Sequence, residues 1–97
     1  MTREEATRLV GEHAERLRRD FRVRALRLFG SVVRGEAAPP SDVDFLVDFD
    51  GPPTFRRFMG LKFALEDLLG VRVDLVAPDN LRPWLRDEIE REAVRVA

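Results

Sequence analysis

Apolar residues recur along this chain in two rhythms, one near the helical repeat and one of strict alternation, and the changes between them outline the fold. Over residues 2–20, Leu9, Val10, Ala14 and Leu17 recur at helical spacing. Thr2 followed three residues later by Glu5 is a helix-start signature, because each side chain can accept the other residue's backbone N–H. Residues 23–29 (VRALRLF) read as a strand ending at Gly30. Residues 31–35 predict a short helical turn, and GEAAPPS reads as a loop. Residues 42–49 (DVDFLVDF) alternate as a second strand, which DGPP ends. Thr54 caps a predicted helix to about residue 69, with Phe58, Leu61, Leu65 and Leu68 on one stripe and Gly70 as the stop. VRVDLVA reads as a third strand. A last helix is expected from Asp79 or Asn80 to about Glu92, with Pro83 in its early turns, while AVRVA fits either its continuation or an extended segment.

This order implies a two-layer α/β (α+β) domain with a small sheet. The 97 residues suffice for one core, not for separate catalytic and recognition domains, so residues 1–97 are read as a single domain. The apolar and charged fractions, 44% and 36%, are those of a soluble globular chain. No apolar run is long enough to span a bilayer, MTREEATRLV is not a signal peptide, and there are no cysteines to form disulfides or thiolate metal sites. The expectation is a cytoplasmic protein without membrane contact. The net charge of −1 argues against direct nucleic-acid binding through phosphates.

The second strand raises a chemical problem. Side chains two apart share a face, so Val43, Phe45, Val47 and Phe49 can be buried together while Asp42, Asp44, Leu46 and Asp48 take the opposite side. In the third strand Val71, Val73 and Leu75 share one face, and Arg72, Asp74 and Val76 the other. If these strands are neighbours, Asp74 comes near Asp42 and Asp44. An Asp pair on an open strand face is commonly only solvated or paired with Arg. Three clustered carboxylates, however, raise one another's pKa values, and a divalent cation relieves that. Oxygen ligands without His or Cys suit a hard ion, Mg2+ or Mn2+. Asp48 lies roughly 20 Å along the strand from Asp42 by rise alone and is left out of the site.

Upstream, Gly30-Ser31 follows a strand and precedes a turn. Glycine permits close backbone approach, serine adds a hydroxyl, successive N–H groups can hold phosphate oxygens, and Arg34 can add a charge-assisted contact. It is not a Walker loop, since no Lys-Ser/Thr follows at the required spacing.

LFGSVVRGEAAPPSDVDFLVDF followed by VRVDLV resembles the DNA polymerase beta-like nucleotidyltransferase superfamily. Its pattern is Gly-Ser, about ten residues, Asp-x-Asp, and a later acidic residue in a strand; here these are Gly30-Ser31, Asp42-Val43-Asp44 and Asp74. The brevity of the chain and DNLRPWLRDEIEREAVRV look like the minimal nucleotidyltransferases, the MntA-type antitoxins. The resemblance runs from about residue 23 to the end. It implies a mixed sheet with helices mainly on one face, Mg2+ (one or two ions) and ATP as the nucleoside triphosphate. It gives metal binding to Asp42 and Asp44, metal binding or base catalysis to Asp74, and the β and γ phosphates to Gly30 and Ser31, with Arg34 nearby. It further implies transfer of AMP to a hydroxyl, typically of tyrosine, on a HEPN-domain toxin, with homo- or hetero-oligomers as assemblies. A contact-only antitoxin and a small-molecule, aminoglycoside-type nucleotidyltransferase are the alternatives. Val32 stands where many minimal members carry a basic residue, which implies a weaker phosphate contact there. The chain contains no Tyr, so tyrosine modification would occur in trans.

Other conspicuous residues receive structural readings. His13, the only histidine, is expected to pack or to edge the first helix. Phe55, Phe58 and Phe63 are expected in the core, Trp84 in the core or else exposed on a partner-binding patch, and Arg56, Arg57 and Lys62 on a solvated face.

Overall fold

A four-stranded sheet in the order β3-β2-β1-β4 organises the chain, in a computed structural model that describes residues 1–36 and 42–97. The strands are β1 (Val23–Phe29), β2 (Val43–Phe49), β3 (Val73–Val76) and β4 (Val94–Arg95). The helices are α1 (Arg3–Glu12), α2 (Ala14–Phe21), α3 (Ser31–Arg34), α4 (Phe55–Leu69) and α5 (Pro83–Glu92). The sheet is mixed: β1 pairs antiparallel with β2 and β4, and β2 pairs parallel with β3. The parallel step follows from α4, which spans the crossover between β2 and β3. Part of the expected GEAAPPS loop, residues 37–41, lies outside the described residues.

The alternation in β2 sorts its side chains as expected. Val43, Phe45, Val47 and Phe49 are buried against Val10 of α1, Leu17 of α2 and Leu61, Leu65 and Leu69 of α4. In β1 the alternation breaks, since Val23, Leu26 and Leu28 all join that core. A register shift between Val23 and Ala25 reconciles them, because a bulge moves the following side chains to the other phase. Leu46 is fully buried outside this core, on the same side of β2 as Asp44 and Asp48. Thr54 Oγ accepts the Arg57 N–H and Gly70 closes α4 at φ +71°, as its sequence signals predict.

Four expectations change. The helix expected over residues 2–20 breaks at His13. There Nδ1 lies 2.9 Å from the Leu9 carbonyl, the acceptor that residue 13's own N–H would use in a continuous helix, and that N–H goes to the Val10 carbonyl instead. The last helix starts at Pro83 rather than at Asp79 or Asn80. Pro78–Asn80 form a separate 3-10 turn, and Arg82 is extended at ψ 144°, as sterics demand of a residue before proline. The third strand is shorter than VRVDLVA and starts at Val73.

The aromatic residues are the fourth. Phe55, Phe63 and Trp84 are 81%, 54% and 62% exposed rather than in the core, whereas Phe58 packs against it. Phe63 is two positions from Leu61, which puts it across the helix from the buried stripe. Trp84 lies on α5, which buries none of its residues.

AVRVA resolves as extended. Beyond β4, Val96 N–H donates to the Leu26 carbonyl, and Leu26 N–H donates to the Ala97 carbonyl. Among the described residues, no helix is long and apolar enough to cross a membrane.

Candidate active site

The parallel pairing of β2 and β3 puts Asp44 directly beside Asp74 in register. Both side chains leave the sheet on the face opposite Phe45 and Leu75. The charge of Asp74 acts directly on the Asp44 carboxyl. Asp42 precedes β2, is exposed, and acts on Asp44 through its charge. Burial, first, and then the negative charges of Asp74 and Asp42 push the Asp44 carboxyl from 3.8 up to about 6, against a smaller opposing pull from Arg34.

The end of β1 meets the same spot. Phe29 pairs with Asp44, so the next residue, Gly30, turns the chain over the Asp44 side chain. Gly30 has φ +81° and ψ −156°, a combination open essentially only to glycine. A Cβ there would run into the Asp44 carboxylate. Ser31 opens the single-turn helix α3, anchored by the buried Val32, and Arg34 ends it. The structure thus brings Gly30, Ser31, Arg34, Asp42, Asp44 and Asp74 to one end of β1, β2 and β3.

Sequence reasoning missed one residue. Glu92, at the end of α5, accepts the Gly30 N–H on Oε1 over 2.6 Å. Arg34 Nη1 donates to the same Oε1 over 2.7 Å and to Oε2 over 3.0 Å. Arg34 Nε donates to Glu36 over 3.1 Å. The Glu36 hydrogen bond, followed by the Glu92 charge, holds the guanidinium pKa above its usual value. No sequence signal joins Glu92 to a turn 62 residues earlier. Asp48 belongs elsewhere: it pairs with Arg27 over 3.2 Å, and the same Nη2 lies 3.6 Å from Glu90.

Among the described residues, no three His, Cys, Asp or Glu side chains are already gathered into a metal cage. The donor chemistry nevertheless fits a hard divalent cation. Asp44 and Asp74 offer oxygens only, Asp42 adds a third negative charge, and burial followed by the charges of Asp74 and Asp42 raises the Asp44 pKa, a cost that a bound cation would relieve.

Residues 10–96 match the family model of the nucleotidyltransferase domain. The chain belongs to this family. A protein adenylyltransferase MntA of Thermococcus cleftensis is 45% identical over 96 residues, covering 99% of this chain and 97% of the relative. A solved structure taken for a minimal nucleotidyltransferase is 44% identical and superposes with a TM-score of 0.82, covering 97% of this chain and 95% of the other. The nucleotidyltransferase fold also recurs in the complex of a tri-AMPylated Shewanella oneidensis HEPN toxin with an MNT antitoxin. That match is 20% identical, with a TM-score of 0.66 and coverage of 94% and 71%. At that identity the likeness speaks for the fold alone. The mixed four-stranded sheet is therefore the family's fold, and the chain is of the nucleotidyltransferase class of enzymes.

Proposed function

We propose that this nucleotidyltransferase moves AMP from ATP onto a hydroxyl of a HEPN-type toxin and silences it, acting as the antitoxin of the pair. The observation that carries the reading is the Asp44–Asp74 pair lying in register under the glycine-only turn at Gly30. Nearly full-length 45% identity to a protein adenylyltransferase supports the choice of reaction.

In this reading Asp42 and Asp44 would hold Mg2+, Asp74 would complete that site or take the acceptor's proton, and the ion would supply charge neutralisation on the triphosphate and the reacting oxygens. Gly30 and Ser31 seat the β and γ phosphates, and the Arg34 guanidinium faces their charge. The acceptor oxygen forms a bond to the α-phosphorus, and the bond from that phosphorus to the bridging oxygen breaks. Pyrophosphate leaves with the electron pair. The acceptor proton passes to Asp74, which is exposed and so open to an incoming hydroxyl. Because the chain has no Tyr, a tyrosine acceptor must come from the partner.

The test is neutralisation in cells that express a HEPN-domain toxin from the same source together with this chain. The Asp42→Asn/Asp44→Asn double variant should be made, should co-purify with the toxin, and should fail to protect. Full protection by the double variant would replace the catalytic reading with an antitoxin that works by contact.

A further inference from the structure

We infer that Glu92 is a positioning residue for the nucleotide, acting through Gly30 and Arg34 to hold the phosphate-binding turn in its competent shape. The inference rests on the adenylyl-transfer reading and adds to it a residue from the far end of the chain.

Glycine enters the conformation of Gly30 without strain but leaves it as easily, so the shape of the turn depends on contacts that hold it. Two contacts do so here. The Asp44 side chain lies against the space where a Cβ would project, and Glu92 Oε1 accepts the Gly30 N–H over 2.6 Å. The same oxygen takes Arg34 Nη1 over 2.7 Å, with Oε2 on the same nitrogen at 3.0 Å. One carboxylate therefore ties the turn's backbone to the turn's cation. A free arginine side chain samples many rotamers, and a phosphate would have to order it on binding. Protein kinases solve the same problem with a glutamate paired to the lysine that meets the phosphates.

The anchor is itself fixed. Glu92 ends α5 immediately ahead of β4, and β4 pairs with β1 through Leu28↔Val94 and Arg27↔Arg95. The strand that delivers Gly30 is thus the strand that holds the segment carrying Glu92. With its N–H engaged by Glu92, Gly30 serves the phosphates by letting the turn approach closely, and the donors to them are Ser31 and Arg34.

The opposite role can be written from the same atoms. A carboxylate on Arg34 could compete with phosphate, and its removal would then tighten nucleotide binding. The two roles differ in sign. Glu92→Ala and Glu92→Gln are made in the full chain, and their thermal unfolding is measured to establish that each folds. Glu92→Gln is isosteric and decides the question if Glu92→Ala does not fold. Equilibrium binding of labelled ATP with Mg2+ is then read alongside KM and kcat for transfer to the partner.

Positioning predicts weaker ATP binding and a KM raised about tenfold in Glu92→Ala, with kcat changed much less. Glu92→Gln keeps an acceptor for the Gly30 N–H and should fall between this and the wild type. Unchanged or tighter ATP binding in both folded variants would overturn the inference while leaving adenylyl transfer standing. A wild-type chain that binds no ATP would overturn the reading of the site, and the inference with it.

Discussion

Replacing Asp44 by Asn should abolish transfer and at the same time stabilise the metal-free protein near neutral pH. The two effects have one cause. The Asp44 carboxyl is raised from 3.8 to about 6 by burial and by the charges of Asp74 and Asp42. Its folded pKa lies above its unfolded one, so its contribution to stability is fully present below about pH 4 and is lost as pH rises through about 6. Above that window the folded state carries an ionised carboxylate that the unfolded chain solvates better. The gap corresponds to about 3 kcal/mol, and solvent screening at a half-exposed group cuts it to about 1 kcal/mol. Asparagine keeps the shape and can donate to Asp74, but it carries no charge. Urea denaturation without metal should therefore show Asp44→Asn more stable by about 1 kcal/mol at about pH 8, with the gain gone at about pH 4. Transfer should fall by at least about a thousandfold, because a ligand for the metal is gone. Equal stability of the two proteins at both pH values would mean that neither burial nor the neighbouring carboxylates disfavour an ionised Asp44.

Gly30→Ala should be damaging for a reason that involves no charge. The backbone there is in a region essentially closed to other residues, and the new methyl would displace the Asp44 carboxylate. The combined cost is about 3 kcal/mol of stability, with transfer lost because the turn and the carboxylate cannot both keep their places. Gly35→Ala is the matched control. Gly35 also has positive φ, at +72°, but among the described residues nothing lies within 4 Å of where its Cβ would be. Its substitution should cost about 1 kcal/mol and leave most of the activity. Denaturation midpoints and transfer rates of the two variants check the contrast. Full activity in Gly30→Ala would show that the close approach to Asp44 is not needed.

Most of the frame was legible because it depends on local rules. The alternation in β2 separated Phe45 from Asp44, and the caps Thr54 and Gly70 bounded α4. The meeting of Asp44 with Asp74 followed once β2 and β3 were taken as neighbours, since in-register parallel strands keep equivalent faces aligned. The start of α5 was also open to local reasoning, because Pro83 forces Arg82 out of the helix. What stayed hidden depends on contacts across the chain. The break at His13 arises from a side chain taking the Leu9 carbonyl, and β4 is two residues long and exists only because the edge of β1 is free to receive it. Glu92 could not be read at all, because an acidic residue ending an exposed helix looks the same whether it meets water or a glycine N–H 62 residues away. Phe63 shows the converse, an aromatic residue that composition sends to the core and helix phase returns to the surface, while Phe55 is exposed at the first position of α4 and Trp84 on a helix that buries none of its residues.

The most direct measurement of the central claim uses ATP labelled at the α or the γ phosphate, with Mg2+ and a purified HEPN-domain partner. The account predicts label on the partner from the α position, none from the γ position, and none from either with Asp44→Asn. Label from the γ position alone would contradict it, because the protein would then be transferring a phosphoryl group rather than AMP.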